Sequence, residues 1–269
     1  DNIYYKKVFG HLDKLHQKRP NSPFFVSFTT ISNHMKFKRT PKDQRYLFPE
    51  QSTKKQYYGN TLRATDEYLK EFFAQLKKRD YLKNSIVFIM GDHSYPVGEH
   101  GNHSSENGYY NENFKTPLLV LAGDDLSPQR ISKNRSQIDV APTLMALLNI
   151  DKKNHFQGQN LFSKENHEVH LVQPYAGTFL SLITKNNIKY VYHERTKQEF
   201  AYDLNNDPME QHNIIDELSA EEVEKMRKKM SHLYLNNWLI KNNQIWPKDK
   251  RHLANSKKKN DHLLVQKSD

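Results

Sequence analysis

The sequence predicts an α/β protein with a mainly parallel sheet flanked by helices, followed by a small four-stranded antiparallel sheet packed by one long helix. Helix and strand patterns alternate from residue 3 to residue 150, which is typical of a parallel sheet with crossover helices. The apolar run 85–90 is continuous, as expected for a central strand covered on both faces. After residue 150 the pattern changes to short strands and then one long helix.

The first part supplies the alternating elements. They are a helix over 3–16, a strand over 23–31, a polar loop over 32–43, a helix over 55–79, strands over 85–90 and 117–123 on either side of a polar loop over 91–116, and a helix over 136–150 opened by Ser136. The first helix has an apolar face made of Tyr4, Val8, Leu12 and Leu15. The segment PFFVSFTTI at 23–31 has the β-branched and aromatic composition of a buried strand.

The second part carries shorter elements. Strands are predicted at 167–174, 178–184, 188–194 and 199–204, with a tight turn at 185–187 between the second and the third. Ser219 and Glu222 form a capping box that opens a helix. Its inward residues are expected to be Val223, Met226, Met230, Leu233 and Trp238. We therefore divide the chain into an α/β part over 1–160, an antiparallel subdomain over 161–247 and a basic tail over 248–269.

Composition and charge narrow the classes of function. The net charge is +10, and aromatic residues make up 12% of the chain. The charge is densest in the tail, which we expect to be mostly disordered; it either attracts an anionic partner or is a solvated end. Because the sequence has no cysteine, disulfides and thiol nucleophiles are excluded. No apolar run approaches the ~20 residues of a membrane span.

A carboxylate and several imidazoles follow two predicted strands. Asp92 and His93 come directly after the strand 85–90, His34 follows the strand 23–31, and His100 and His103 lie in the next loop. Ligands of open α/β sheets bind beyond the carboxyl ends of strands. Asp with His suits a divalent cation, and a further imidazole can serve as a proton donor. The alternative is that Asp92 caps the loop and the histidines are ordinary polar residues.

Several motifs in a fixed order resemble the second half of the sulfatase family. They are VFIMGDHSYPVGEHGNH, YYNENFKTPLLVLAG, SQIDVAPTLMALLNI, FQGQNLF and YDLNNDPMEQHNI, and the likeness covers about residues 23–240. Arylsulfatases, lipoteichoic acid synthases and phosphoethanolamine transferases share this core. The resemblance implies an alkaline-phosphatase-like fold and a divalent metal ion (Ca, Mn, Mg or Zn).

The resemblance also assigns roles to individual residues. Asp92 and His93 match the two metal ligands that this half of the family supplies. His34 matches the histidine that contacts the transferred sulfate or phosphate. His103 lies near the position that protonates the leaving group, and His100 competes for that role.

Other matched positions have smaller roles. Lys115 is a substrate-binding candidate, Tyr110 is expected to be structural, and Asp139 is expected to act as a cap or a loop tether. Ser94 replaces the glycine of the usual D-H-G motif, which could alter the backbone angles of the loop.

The nucleophile of the family has no counterpart in this sequence. No C/S-x-P-x-R string occurs, and the remaining metal carboxylates of the family come from its first half. The resemblance therefore implies the C-terminal piece of a sulfuric ester hydrolase. Its partners would be an anionic ester substrate and the missing N-terminal half of the same protein, and the isolated chain is expected to be inactive.

Two alternatives from other classes stay open. One is a membrane-associated phosphoglycerol or phosphoethanolamine transferase, for which a basic surface would suit lipid headgroups. The other is a catalytically inactive or basic binding module. No specific nucleic acid is expected, since no recognised nucleic-acid motif is present. The resemblance favours an extracytoplasmic or membrane-associated location.

Overall fold

The structure is a computed structural model that describes residues 1–101, 107–123 and 126–244. It divides into two compact units. The first comprises 1–130 with 173–176, and the second comprises 131–172 with 177–269. The boundary predicted at residue 160 stays a prediction, and the tail over 248–269 lies outside the described residues.

The first unit contains two helices and two strands. These are α1 (Asn2–Lys18), α2 (Lys54–Lys77), β1 (Val87–Met90) and β2 (Leu118–Leu121). Thr53 caps α2, since its side chain accepts a hydrogen bond from the Gln56 amide in a capping box. All four elements were predicted, within a few residues at each end.

The core of this unit is rich in aromatic residues. Tyr5 and Phe9 of α1 are buried against Phe72 of α2 and Leu82, and the Tyr5 and Phe72 rings lie 5.2 Å apart. The predicted face of α1 is therefore shifted by one residue. Tyr5 and Phe9 are buried and Tyr4 is exposed, because the rings of Tyr5 and Phe9 pack against Phe72 of α2.

The strand predicted over 23–31 is wrong for the described residues. This segment has no strand assignment, and Phe25, Val26 and Ile31 are exposed. Phe28 packs on α1 and α2 through Tyr5 and Phe72. The composition of the segment is that of a strand, but a strand also needs backbone partners, and the described residues supply none.

The parallel arrangement is also wrong for the pair of strands in this unit. β1 and β2 pair antiparallel, with Val87 opposite Leu121 and Met90 opposite Leu118. The loop between them contains no crossover helix in its described part, and direct connections of this kind join antiparallel neighbours. Leu119 and Leu121 are exposed, so β2 is not covered on both faces by the described residues.

The second unit confirms the predicted small sheet. It contains α3 (Val140–Leu147), β3 (Val169–Gln173), β4 (Phe179–Ile183), β5 (Ile188–His193), β6 (Glu199–Asp203) and α4 (Ala220–Lys241). The strand order is β3-β4-β5-β6, and β4–β5 and β5–β6 are antiparallel. The helix predicted over 136–150 is shorter, because Gln137–Asp139 form a 3-10 turn before α3.

The helix α4 packs on this sheet. Ser219 accepts a hydrogen bond from the Glu222 amide, as the capping box predicted. Val223, Met226 and Met230 are buried against Leu180, Leu182 and Tyr190, and Leu233 packs beside them. Trp238 was predicted to point inward, and this is wrong: it is 57% exposed and does not belong to the core cluster under α4. No described helix is both long enough and apolar enough to cross a bilayer.

Candidate functional site

Asp92 and His93 form an exposed pair just beyond β1. The Asp92 carboxylate accepts the His93 backbone N–H at 2.9 Å, and His93 Nε2 lies 3.7 Å from Asp92 Oδ2. His93 Nδ1 lies 2.9 Å from the Ser94 carbonyl oxygen. Since a carbonyl can only accept, Nδ1 is the protonated nitrogen and Nε2 carries the lone pair in the neutral ring. Metal-binding histidines typically have this arrangement.

The Asp92–His93 pair has the donor types and the spacing for two of the ligands of a divalent cation. Two donors that bind one ion at about 2.1–2.5 Å lie roughly 3–3.5 Å apart, close to the separation of Nε2 and Oδ2. Within the described residues, however, no group of three or more His, Cys, Asp or Glu side chains converges. Asp92 and His93 therefore supply part of a coordination sphere, and the described residues do not complete it.

Packing of its own loop positions His34. The Asn33 side chain accepts a hydrogen bond from the Thr65 hydroxyl of α2 at 2.9 Å. Phe37 is buried, with its ring 5.0 Å from that of Tyr58 and 5.7 Å from that of Tyr95. Because Tyr95 follows Asp92 by three positions, Phe37 joins the His34 loop to the Asp92 loop.

His34 itself is exposed, and its Nδ1 lies 2.6 Å from the Met35 carbonyl oxygen. The ring thus has the same tautomer as His93, with Nε2 as the second nitrogen. The structure brings the two loops together through the aromatic contact. It does not show a hydrogen bond between His34 and Asp92.

His100 lies in a tight turn. Gly101 N–H donates to the Gly98 carbonyl, and His100 has a φ of 50°. Its ring stacks on Tyr110 with centroids 3.9 Å apart, and its Nδ1 lies 3.3 Å from Glu112 Oε1. Tyr110 therefore packs on the imidazole, and Glu112 orients it.

Glu112 also contacts the start of the loop between β1 and β2, at Ser94. The Ser94 hydroxyl donates to the Glu112 carbonyl oxygen at 2.8 Å, a contact that glycine at this position could not make. Sequence reasoning missed both Glu112 and Phe37. Glu112 lies in a polar stretch that has no motif spacing to mark it. Phe37 is the single aromatic residue of a loop whose other residues are mostly polar.

The remaining predicted site residues are less informative. Lys115 is exposed and lies three residues before β2. Its backbone N–H donates to the Asn111 carbonyl, and no ion pair of its side chain is found among the described residues. His103 lies outside the described residues.

Asp139 is a buried tether in the second unit, in agreement with the role expected from its motif. Its Oδ2 accepts the Ser136 amide at 2.9 Å and lies 3.0 Å from His167 Nδ1, while Oδ1 accepts the Gln159 amide at 2.8 Å. Gly158 is required beside it, because a Cβ there would lie 2.1 Å from the Ile138 carbonyl oxygen. Thus FQGQNLF docks on the segment that opens α3.

The YDLNNDPMEQHNI motif is also structural. Glu210 forms a 2.6 Å ion pair with Lys189 of β5, and the two side chains are 2% and 0% exposed. Asp207 accepts the His212 amide at 2.8 Å, and Asn213 accepts the Ala201 amide of β6 at 2.9 Å. These contacts fold the segment after β6 against the sheet.

Comparison with known families explains why these motifs occur together. The sulfatase family model matches residues 1–150. The chain belongs to the sulfatase family. A second family model, for the C-terminal region of N-sulphoglucosamine sulphohydrolase, matches residues 98–236. The sulfatase match includes His34, Asp92, His93 and Lys115, and the second match includes the sheet of the second unit.

Curated relatives of this sulfatase-family chain include lipoteichoic acid synthases. The lipoteichoic acid synthase-like YvgJ of Bacillus subtilis is 34% identical over 154 residues, which are 52% of this chain and 25% of the relative. Lipoteichoic acid synthase 2 of the same species is 28% identical over 212 residues, 74% of this chain and 31% of the relative. The chain thus spans about a quarter to a third of the length of these relatives.

Solved structures confirm the fold class. A candidate sulfatase, yidJ of Bacteroides fragilis, has a TM-score of 0.70 at 18% identity, with 90% of this chain and 58% of that chain covered. A Vibrio parahaemolyticus protein of the alkaline phosphatase superfamily has a TM-score of 0.70 at 20% identity, covering 92% and 56%. The α/β alkaline-phosphatase-like architecture predicted from the sequence is therefore confirmed.

Proposed function

We propose that the protein in which this chain works hydrolyses sulfate esters with the help of a divalent cation. The observation that carries the proposal is the Asp92–His93 pair. It projects from the end of β1 with side chains 72% and 69% exposed, in a chain of the sulfatase family. The two family models together span residues 1–236, and both are named for sulfate-removing enzymes.

In this proposal Asp92 and His93 hold the cation together with ligands from outside the described residues. When bound, a Ca, Mn, Mg or Zn ion would neutralise charge on the ester oxygens. His93 would present Nε2 to a bound ion, because Nδ1 is engaged by the Ser94 carbonyl. Asp92 supplies the carboxylate oxygen that hard divalent cations prefer.

The other candidate residues act on the ester itself. His34 contacts the transferred group, and Lys115 adds positive charge to bind the anionic substrate. His100 donates a proton to the leaving alcohol, with Glu112 and Tyr110 holding its ring. His103 is the competing donor on the same loop.

The nucleophile and the remaining metal ligands belong, in our proposal, to an N-terminal half of the same protein. Two observations support this. The chain spans 25–31% of the curated relatives, and the segment 23–31 has a strand-like sequence that exposes Phe25, Val26 and Ile31 and forms no strand among the described residues. The isolated chain would then bind the cation weakly and not turn over.

The test compares a protein that carries both halves with its Asp92→Asn variant, on 4-methylumbelliferyl sulfate in the presence of Mn²⁺ or Ca²⁺. We expect kcat/KM to fall by about a hundredfold or more, since a catalytic metal supplies several kcal/mol. Asp151→Asn, at another exposed aspartate, is the matched control. Sulfate-ester turnover by the 269-residue chain alone, lost on Asp92→Asn, would show that the inactivity proposal is wrong.

A second candidate is phosphoglycerol or phosphoethanolamine transfer at a membrane surface. The names of the curated relatives favour it, since lipoteichoic acid synthases match at 28–34% identity. An extracytoplasmic or membrane-associated location would suit either function. Transfer of phosphoglycerol from phosphatidylglycerol in vesicles, together with inertness toward aryl sulfates, would select this candidate over the hydrolase.

A further inference from the structure

The last turns of α4 carry a concentration of exposed apolar side chains. Tyr234, Leu235 and Trp238 are 42%, 54% and 57% exposed. Residues three and four positions apart lie on the same face of a helix, so Trp238 stands beside both of the others. The neighbouring face of α4 packs on the sheet through Met226 and Met230. A contiguous exposed apolar face of this kind is typical of a surface that binds a partner.

Exposed cations lie beside this apolar face. Lys228 is two helix turns before Leu235, and Arg195 and Lys197 lie in the β5–β6 hairpin. The hairpin adjoins the helix, because the Tyr234 hydroxyl donates a hydrogen bond to the Glu194 carboxylate and Lys197 lines the same cleft as Tyr234. The three cations are exposed and form no salt bridge with any described residue.

The nearby carboxylates do not cancel this positive charge. Arg227 pairs with both Glu199 and Glu224, at 2.6 and 3.5 Å. Burial and the hydrogen bond to Glu194 raise the pKa of Tyr234, so the phenol stays uncharged and Glu194 keeps its negative charge. Three carboxylates thus stand against Arg227 and the three exposed cations.

The sequence that follows α4 adds more positive charge. Residues 245–269 include seven Lys or Arg and three Asp, with no Glu. These residues lie outside the described part of the chain, but they are covalently joined to the apolar end of the helix. The charge next to the apolar face is therefore positive, which is complementary to an anionic partner.

We propose that this part of the second unit docks on the surface of an anionic lipid bilayer. The docking face consists of Tyr234, Leu235 and Trp238 with the cations of Arg195, Lys197 and Lys228. Tyrosine and tryptophan favour the boundary between hydrocarbon and water. Lysine keeps its ammonium group at the headgroups while its stem lies along apolar surface. Anionic lipids attract each such cation.

The size of the docking face fits a helix that lies on a bilayer. The apolar stretch from Tyr234 to Trp238 covers little more than one helix turn, which is far shorter than a membrane span. Apolar insertion combined with attraction to anionic headgroups is the usual mode of such interfacial helices. A second copy of the chain is a poorer occupant, because a symmetric contact would bring the like charges of Lys228 and of the hairpin together.

The helix end is already formed before any contact. The Asn242 amide and side-chain nitrogen both lie within hydrogen-bond distance of the Trp238 carbonyl oxygen, at 3.0 and 2.7 Å. The Gln244 amide donates to the Leu239 carbonyl at 2.8 Å. Since the last turn is closed by these bonds, docking does not have to order the helix, and less free energy is lost on binding.

The test is co-sedimentation of the 269-residue chain with vesicles of phosphatidylserine and phosphatidylcholine in equal amounts, and with vesicles of phosphatidylcholine alone. We expect the chain to bind the anionic vesicles about tenfold more tightly or better, and the affinity to fall as salt is added. Phosphatidylserine supplies negative charge without a phosphoglycerol or phosphoethanolamine headgroup. The result is therefore independent of both proposed activities.

Variants of exposed residues locate the contact. Leu235→Ala combined with Trp238→Ala should weaken binding to the anionic vesicles by about tenfold or more, because two apolar side chains no longer leave water. Lys228→Gln should weaken it by about fivefold, the contribution of one cation near an anionic surface. Ile138→Ala and Lys152→Gln, at exposed residues outside the docking face, should leave the affinity unchanged. Circular dichroism should show the same helix content for all of these variants.

Tryptophan fluorescence gives a readout that does not depend on losing affinity. The sequence has two tryptophans, Trp238 and Trp246, so a Trp246→Phe variant reports on Trp238 alone. On addition of the anionic vesicles we expect its emission to move to shorter wavelength and its quenching by iodide to fall, because the indole leaves water. Unchanged emission from a chain that is bound to vesicles would show that the docking face is not the contact.

Three further results would overturn the proposal. The first is the absence of saturable binding to the anionic vesicles. The second is binding that survives the loss of Leu235 and Trp238, which would assign it to the basic tail alone. The third is self-association without vesicles that Trp238→Ala abolishes, since this would assign the face to a second copy of the chain.

Discussion

The buried ion pair between Lys189 and Glu210 gives the sharpest test of how the second unit is held together. The two side chains are 0% and 2% exposed and lie 2.6 Å apart. Lys189 stands in β5 opposite Tyr202 of β6, and Glu210 lies in the segment that follows β6. The pair therefore joins the middle of the sheet to the YDLNNDPMEQHNI segment.

The magnitude follows from the burial. Removing one partner leaves the other charge buried without its ion-pair partner, which costs about 3–5 kcal/mol. Lys189→Met and Glu210→Gln should each lower the free energy of unfolding by roughly that amount. The double variant should lose much less than the sum, because no charge is left behind; an ion pair replaced by uncharged groups is often close to neutral.

Urea unfolding followed by circular dichroism at 222 nm measures all three variants at neutral pH. Lys185 and Glu165 form the matched control, since their pair has a 3.0 Å separation but side chains 54% and 74% exposed. Lys185→Met should change stability by less than about 1 kcal/mol. If the two buried substitutions were additive, or no larger than the control, the assignment of Lys189–Glu210 as a tight coupled pair would be wrong.

Three further outcomes are expected from the described contacts. Hydrogen bonds from Arg79 lower the pKa of Asp13 from 3.8 to about 2, so this carboxylate stabilises the fold above pH ~4 and its contribution is lost as the pH falls toward 2. Because the Asp13 side chain is 38% exposed, Asp13→Asn should lower the free energy of unfolding by only about 1 kcal/mol at pH 7. Urea unfolding at a series of pH values measures this difference. A difference that did not shrink on acidification would contradict the assignment. Phe37→Ala should destabilise the loop that carries His34 by about 3 kcal/mol and so speed tryptic cleavage at Lys36 and Lys38. Met35→Ala, at an exposed side chain, should not change the cleavage rate. Equal cleavage rates for the two variants would show that Phe37 does not anchor the loop. Met230→Ala should lower the free energy of unfolding by about 3 kcal/mol, and Trp238→Ala should lower it by about 1 kcal/mol or less. The melting temperature should therefore fall further for Met230→Ala. Equal falls would indicate that Trp238 packs inward, as the sequence predicted.

Local sequence patterns predicted the second unit well, because its elements form their hydrogen bonds with sequence neighbours. β4, β5 and β6 pair with their sequence neighbours, and the turn at 185–187 closes by hydrogen bonds between Thr184 and Ile188. The capping box at Ser219 fixes the start of α4 within the same few residues. Such contacts are visible in a sequence, since pattern and partner lie close together.

The first unit was harder to predict because its strands depend on distant partners. The segment 23–31 has strand composition, but composition does not say which chain pairs with it. The orientation of β1 and β2 depends on the path of the loop between them, which no periodicity reports. The convergence of His34 with Asp92 was inferred from parallel strands, whereas the contact that joins their loops is the Phe37–Tyr95 ring pair.

Not every residue of the family motifs has a chemical role in this chain. Asp139, Gly158 and Glu210 are motif residues, and each is explained by a buried tether, a close backbone approach or a buried ion pair. Asp92 and His93 differ, because their carboxylate and imidazole groups are exposed and are oriented in part by backbone groups. A polar pair that is held in place yet not buried contributes little to stability. For this reason substitutions at Asp92 or His93 should leave the fold intact while abolishing the proposed metal-dependent hydrolysis, whereas substitutions at Glu210 should lower the stability of the fold.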